Sequence, residues 1–192
     1  MKKFTEIRWH GRGGQGAKTA ALLFGDAALA LGKNIQAFPE YGPERMGAPV
    51  ASFNRISDTP LTIHFNVTEP DIVLVLDPSL IGKVDPTSGL TENGVIIVNT
   101  TEDAKVIREK LKLKGRKLFT VGASAISVET IGKDIPNTPM LGALIKATNI
   151  LDYDHFIKDL EKKLTKKFAL KPEVIQGNLN AVKRAYAEVK GE

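Results

Sequence analysis

The chain contains no cysteine among its 192 residues. That absence excludes cysteine-ligated iron–sulfur clusters, thiolate zinc sites, disulfides and a cysteine nucleophile, so any cluster-based electron transfer in which the protein takes part belongs to another chain. Histidine is scarce as well: His10, His64 and His155 are the only three, and no two stand at a metal-ligand spacing. No convergent nucleophile or acid–base set emerges, so no catalytic residue and no metal site are assigned. Nowhere do about eighteen apolar residues run together, and the lysines of MKKFTEIRWHG are not followed by the roughly seven to fifteen apolar residues of a signal peptide. The expectation is a cytoplasmic protein with no membrane contact.

Positive charge is in mild excess, 27 basic against 22 acidic residues. It is densest in EKKLTKKFALK, residues 161–171, which reads as a solvated helix face. A nucleic-acid footprint calls for a longer basic stripe with aromatics interleaved, so no nucleic-acid partner is expected, whereas an anionic small molecule suits this charge.

What is present is an ordinary globular composition, 42% hydrophobic and 26% charged, in a length that suits one domain spanning 1–192. Residues 4–10 read as a strand entering a glycine loop, and 17–31 as a helix ended by Gly32. The stretches 48–57 and 61–67 alternate partly and predict an antiparallel pair. DIVLVLD (71–77), GVIIVNT (94–100) and KLFTVGA (117–123) are the continuously apolar type of buried strand. A helix over 101–110 is expected to carry Glu102 and Asp103 in its first turn, and further helices follow at 139–149, 152–166 and 172–189. Strands alternating with helices predict a three-layer α/β/α fold with a mostly parallel sheet and antiparallel edge strands, a Rossmann-like core over about 1–150 and C-terminal helices over about 139–189. The binding crevice of such a sheet lies at the carboxyl ends of its strands, where the glycine loop emerges.

That loop, His10-Gly11-Arg12-Gly13-Gly14-Gln15-Gly16, has the Gly11-x-Gly13-x-x-Gly16 spacing of a dinucleotide fingerprint between a strand and a helix. Gly13 and Gly14 are expected at positive φ, and a Gly16→Ala change is expected to be milder if Gly16 belongs to the helix. Free N–H groups of the first helical turn favour an anion, with Arg12 and Lys18 as cationic partners and Gln15 as a hydrogen-bonding group for ligand or backbone. The glycines could equally serve only to bring the helix close to the sheet. A nicotinamide or flavin site needs an acid at the end of the second strand, about twenty residues on; Gln36 stands there, and Glu40 lies in AFPEYGPERMG, which does not read as a strand end. The P-loop pattern fails because Ala17 replaces its second glycine. Asp77, ending a buried strand before Pro78, is either a ligand-side carboxylate or the cap of a turn near Ser79. A second unusual stretch, FPEYGPERMGAPVASFNR (38–55), is too rich in glycine and proline for a helix. Its Tyr41, Glu44, Arg45 and Met46 suit a protein contact.

Together GRGGQGAKTAALLF and EYGPERMGAPVASFNRIS resemble the opening and the following segment of the gamma subunit, or gamma domain, of the pyruvate and 2-oxoacid:ferredoxin oxidoreductases. Met46 stands where that family commonly has glycine, and Pro49 alters the strand entry. NTPMLGALIKAT (137–148) and NLNAVKRAY (178–186) resemble later landmarks, so the likeness covers nearly the whole chain. The resemblance implies a subunit of pyruvate:ferredoxin oxidoreductase (pyruvate synthase). That enzyme converts pyruvate, coenzyme A and oxidised ferredoxin to acetyl-coenzyme A, carbon dioxide and reduced ferredoxin. It further implies alpha, beta and delta type partner subunits and ferredoxin as acceptor, with thiamine diphosphate, magnesium and the iron–sulfur clusters held by other chains and no cofactor bound by this chain alone. Assembly and coenzyme A handling remain for this chain: Gly11, Arg12, Gly13, Gly14, Gln15, Gly16 and Lys18 would form the ligand loop, and Tyr41, Glu44, Arg45 and Met46 would meet partner subunits. The rival expectations are a purely structural interaction subunit of a related enzyme, acting on 2-oxoglutarate or branched-chain acids, and an independent nucleotide-binding oxidoreductase.

Overall fold

A strand covered on both faces has to be apolar at every position, and Ile72–Val75 and Ile96–Val98 meet that requirement with each residue buried. The computed structural model describes residues 2–40 and 46–192. Its strands are β1 (Thr5–Arg12), β2 (Asn34–Pro39), β3 (Pro49–Ser57), β4 (Ile72–Val75), β5 (Val95–Asn99), β6 (Lys117–Val121) and β7 (Lys190–Gly191). They form one sheet in the order β2-β3-β1-β4-β5-β6-β7. The β1, β4, β5 and β6 pairings are parallel, while β3 and β2 extend the sheet antiparallel from β1 and β7 closes the far edge antiparallel to β6.

The helices are α1 (Ala17–Ala30), α2 (Ala104–Lys110), α3 (Ala123–Ile131), α4 (Asn137–Thr148), α5 (Tyr153–Lys167) and α6 (Pro172–Glu188). They cover the sheet unequally. One face, through Ile7, Trp9, Ile72, Leu74, Leu76 and Ile97, packs with α1 and α3–α6 in a single core; the other, through Val73, Val75, Ile96, Val98 and Leu118, packs with Ile107, Leu111 and Leu113 of α2 and the segment after it. Alternation sends Glu6, Arg8 and His10 of β1 to this second face. Glu6 is buried against Arg55, 2.6 Å from its Nε. On the first face the Trp9 indole donates to Asn54 Oδ1, and Asn54 Nδ2 donates to the Ala21 carbonyl, tying β1 and β3 to α1.

Three expectations need correction. Residues 61–67 form no strand, because Gln36 Nε2 and the Arg55 guanidinium take the carbonyls of Ile63 and Phe65 and hold the segment as a strap. The partners of 49–57 are instead β1 and the unforeseen β2, whose end at Pro39 places Glu40 directly after a strand. The helix expected from 101 starts at Ala104, since Asp103 is its N-cap and accepts from Lys105 N, 2.8 Å away. α3 and β7 were not foreseen. The antiparallel neighbours β3 and β2 occupy the side of β1 where a dinucleotide fold places its ribose-binding strand, so the missing acid near residue 36 has a topological cause.

Candidate functional site

Gly16 sets the geometry of the loop. It is the N-cap of α1 at φ 82°, outside the helix, and has no side chain to cap the first turn. In this loop the glycines at positive φ are Gly14 (φ 100°) and Gly16, not Gly13; the expectation for Gly13 is corrected, and the condition under which Gly16→Ala would be mild is not met. Gly11 belongs to β1, close to Ala17 and Leu76. The first turn of α1 holds no acidic residue, and Lys18 is exposed beside it. Free amides, the positive end of the helix dipole and a lysine therefore share one spot.

Arg12 and Gln15 are largely committed to the protein itself. Arg12 Nε donates to Asp77 Oδ2 at 2.9 Å, Nη1 to the Gly47 carbonyl at 2.9 Å and Nη2 to Ser79 Oγ at 2.9 Å. A guanidinium has five N–H groups, so among the described residues one on each terminal nitrogen has no acceptor. Gln15 Oε1 accepts from Arg12 N at 2.7 Å while its Nε2 donates to Asp77 Oδ2 at 2.8 Å. Asp77 also accepts from Ser79 N and caps the helical turn Pro78–Leu80. Burial pushes the Asp77 carboxyl up, but hydrogen bonds from Ser79 and Gln15 and the charge of Arg12 outweigh it and leave the pKa below the usual aspartate value. Of the two roles open to Asp77 in the sequence the cap is present, and the other carboxylate oxygen anchors the glycine loop through Arg12 and Gln15.

The glycine loop is also stitched to the second unusual stretch. Gly13 N donates to the Ala48 carbonyl and Gly47 N to the Gly13 carbonyl. Tyr41, Glu44 and Arg45 lie outside the described residues, whereas Met46 is 95% exposed at the rim of the loop. A recess of about 420 Å³ lies here, its lining including Arg12, Gly14, Lys18 and Ser52 as well as the apolar Pro39, Met46 and Val50. A larger hollow of about 890 Å³ beyond β5 and β6 is lined by Glu102, Asp103, Glu129 and Glu188 along with Arg184 and Lys105, and those acids disfavour an anion.

The histidines do not converge with this recess. His10 Nε2 is enclosed without a hydrogen-bond partner; burial and then the Arg8 charge push its pKa down to about 4. His155 sits exposed beside Asp152, which caps α5. Among the described residues no group of three or more His, Asp or Glu could hold a metal ion, and no helix is long and apolar enough to cross a membrane.

An α/β domain with an anion-favouring loop at the carboxyl edge of its parallel strands is the class that fold and site define. Comparison with known proteins narrows it. Residues 6–188 match the family model described as pyruvate ferredoxin/flavodoxin oxidoreductase. The pyruvate synthase subunit PorC of Thermotoga maritima is 47% identical over 189 residues, 98% of this chain and 96% of the relative. The common gamma subunit of the pyruvate/ketoisovalerate oxidoreductases of Pyrococcus abyssi is 45% identical over 185 residues, 96% of this chain and 97% of the relative. The crystal structure of the Thermotoga maritima pyruvate oxidoreductase subunit PORC superposes with a TM-score of 0.87 at 43% identity, covering 100% of this chain and 99% of that one. A 2-oxoglutarate:ferredoxin oxidoreductase from Magnetococcus marinus, solved with 2-oxoglutarate, coenzyme A and succinyl-CoA bound, shares the fold at a TM-score of 0.77 and 20% identity; the likeness covers 97% of this chain and 31% of that longer one. The chain belongs to the pyruvate and 2-oxoacid:ferredoxin oxidoreductase family as its gamma subunit. It is one part of a multi-subunit oxidoreductase.

Proposed function

We propose that this gamma subunit serves a pyruvate:ferredoxin oxidoreductase and that its glycine loop handles coenzyme A. The observation that carries the reading is the junction of an α1 N-terminus without a side-chain cap, Lys18 and the two Arg12 N–H groups that have no acceptor among the described residues, beside a recess partly lined by apolar residues. The amides and cations would receive phosphate oxygens through charge-assisted bonds. Pro39, Met46 and Val50 offer a surface for a less polar part of the ligand.

The remaining chemistry falls to other chains. With no cysteine here, the donor set does not fit an iron–sulfur cluster, and thiamine diphosphate with its magnesium is assigned, like the clusters, to the alpha, beta and delta type partners, ferredoxin taking the electrons. The Pyrococcus relatives are named as common to pyruvate and ketoisovalerate enzymes, which supports placing 2-oxoacid selection outside this subunit. The exposed rim at Met46 would face a partner, together with Tyr41, Glu44 and Arg45.

The test is steady-state kinetics of the assembled enzyme with coenzyme A varied at saturating 2-oxoacid and acceptor. Losing a hydrogen bond to a charged group costs about 1–3 kcal/mol, roughly a five- to hundredfold change. Arg12→Ala and Lys18→Ala should each raise the KM for coenzyme A and leave that for the 2-oxoacid nearly unchanged. Lys18→Ala isolates charge, since among the described residues this side chain makes no hydrogen bond. An unchanged coenzyme A dependence in both variants, with normal subunit composition, would leave assembly as the subunit's role.

A further inference from the structure

We infer that Asp77 is the positioning residue of the glycine loop: it acts on coenzyme A binding through Arg12 and Gln15, without touching the ligand. The inference rests on the coenzyme A reading above. One carboxylate oxygen, Asp77 Oδ2, receives both Arg12 Nε (2.9 Å) and Gln15 Nε2 (2.8 Å), while Oδ1 receives Ser79 N (2.8 Å). Gln15 then returns to the Arg12 backbone through Oε1. Arg12 is therefore gripped at both ends, at its amide by Gln15 and at its guanidinium by Asp77 and Ser79.

This grip decides which face of the guanidinium is open. The donors on the Nε and Nη2 edge are consumed by Asp77 and Ser79, and Nη1 spends one on the Gly47 carbonyl. Among the described residues, one N–H on each terminal nitrogen is left for a phosphate. Without the carboxylate the long Arg12 side chain regains rotamer freedom, and an anion has to immobilise it again on binding. Asp77 stands at the carboxyl end of β4, the parallel neighbour of β1, so the anchor comes from the rigid sheet rather than from the loop.

The test is a double-mutant cycle in the assembled enzyme, read as the KM for coenzyme A, kcat and the KM for the 2-oxoacid. Asp77→Ala should raise the coenzyme A KM about three- to tenfold with kcat and the 2-oxoacid KM nearly unmoved. In Arg12→Ala it should add less than about twofold, because the residue it positions is gone. If Asp77→Ala fails to assemble, Asp77→Asn keeps an acceptor for Ser79 N and loses the charge that holds Arg12, and it should show the same pattern, weaker. A full-sized effect of the Asp77 change on top of Arg12→Ala, or no coenzyme A effect where Arg12→Ala has one, would overturn the positioning role and leave the coenzyme A reading standing. No coenzyme A effect in Arg12→Ala, Lys18→Ala and Asp77→Ala alike would overturn both.

Discussion

Gly16→Ala is expected to be far more damaging than Gly14→Ala. Two costs combine at this position. An alanine at φ 82° stands in the left-handed region, at about 1–2 kcal/mol. Its Cβ would also lie 2.6 Å from Asn137 Nδ2 and 3.0 Å from Asn137 Cγ. Asn137 cannot readily turn away, since it is only 8% exposed and its Oδ1 accepts from Thr138 N; displacing such a side chain costs about 1–3 kcal/mol by the scale of overpacked cores. The sum is a loss of about 2–5 kcal/mol. Gly14→Ala carries the backbone cost alone, with no atom of the described residues within 4 Å of its Cβ. Urea denaturation should therefore show Gly16→Ala more destabilised than Gly14→Ala, and adding Asn137→Ala to Gly16→Ala should recover part of the contact cost, since the Cβ of residue 137 stays 3.1 Å away. A Gly16→Ala protein as stable as Gly14→Ala would contradict this.

Acid should weaken the fold through His10. Its folded pKa of about 4 lies below the ordinary 6.5, so the unfolded chain binds the extra proton between those values and stability falls as pH drops through that window, by about 2 kcal/mol between pH 7 and pH 5; His10→Gln should flatten that slope, and an unaltered slope would contradict it. The Asp77 contribution has its own window: a depressed carboxyl stabilises above the ordinary 3.8 and is lost only as pH falls through its lower folded value, so Asp77→Asn should change acid stability below about pH 4 and leave the pH 5–7 slope alone. Gly142→Ala should force α4 from α6, because its Cβ would sit 2.3 Å from the Val182 carbonyl oxygen; a cost of about 1–3 kcal/mol should lower Tm by roughly 3–10 °C, and an unchanged Tm would show that the helices can part freely.

The parts of the fold legible in the sequence are those with one strong signal each. The continuous apolarity of Ile72–Val75 and Val95–Asn99 marked the central strands, and the Pro172 start with Ile175, Leu179, Val182 and Tyr186 at helical spacing marked α6. β2 was hidden because Asn34–Pro39 is half-buried throughout, with neither alternation nor a continuous apolar run. The strap at 61–67 misled in the opposite sense, its alternation resembling a strand while Arg55 and Gln36 took carbonyls a neighbouring strand would have paired. In the site, glycine spacing located the loop, but the partner that organises it lies 62 residues from Gln15. No local pattern connects the two. The one clue was the position of Asp77 at the end of a buried strand before Pro78, and it suited a cap and a ligand carboxylate equally well.

The central claim, that the α1 N-terminus receives coenzyme A, is tested most directly by a structure of the assembled oxidoreductase with coenzyme A bound. A phosphate oxygen is expected within about 3 Å of a backbone N–H between Gly14 and Lys18, the donor distance of such bonds, with the Lys18 ammonium turned toward it and Arg12 still held by Asp77. Coenzyme A seated elsewhere in the complex, with the recess beside Gly14 and Lys18 filled by a partner subunit's chain, would contradict it.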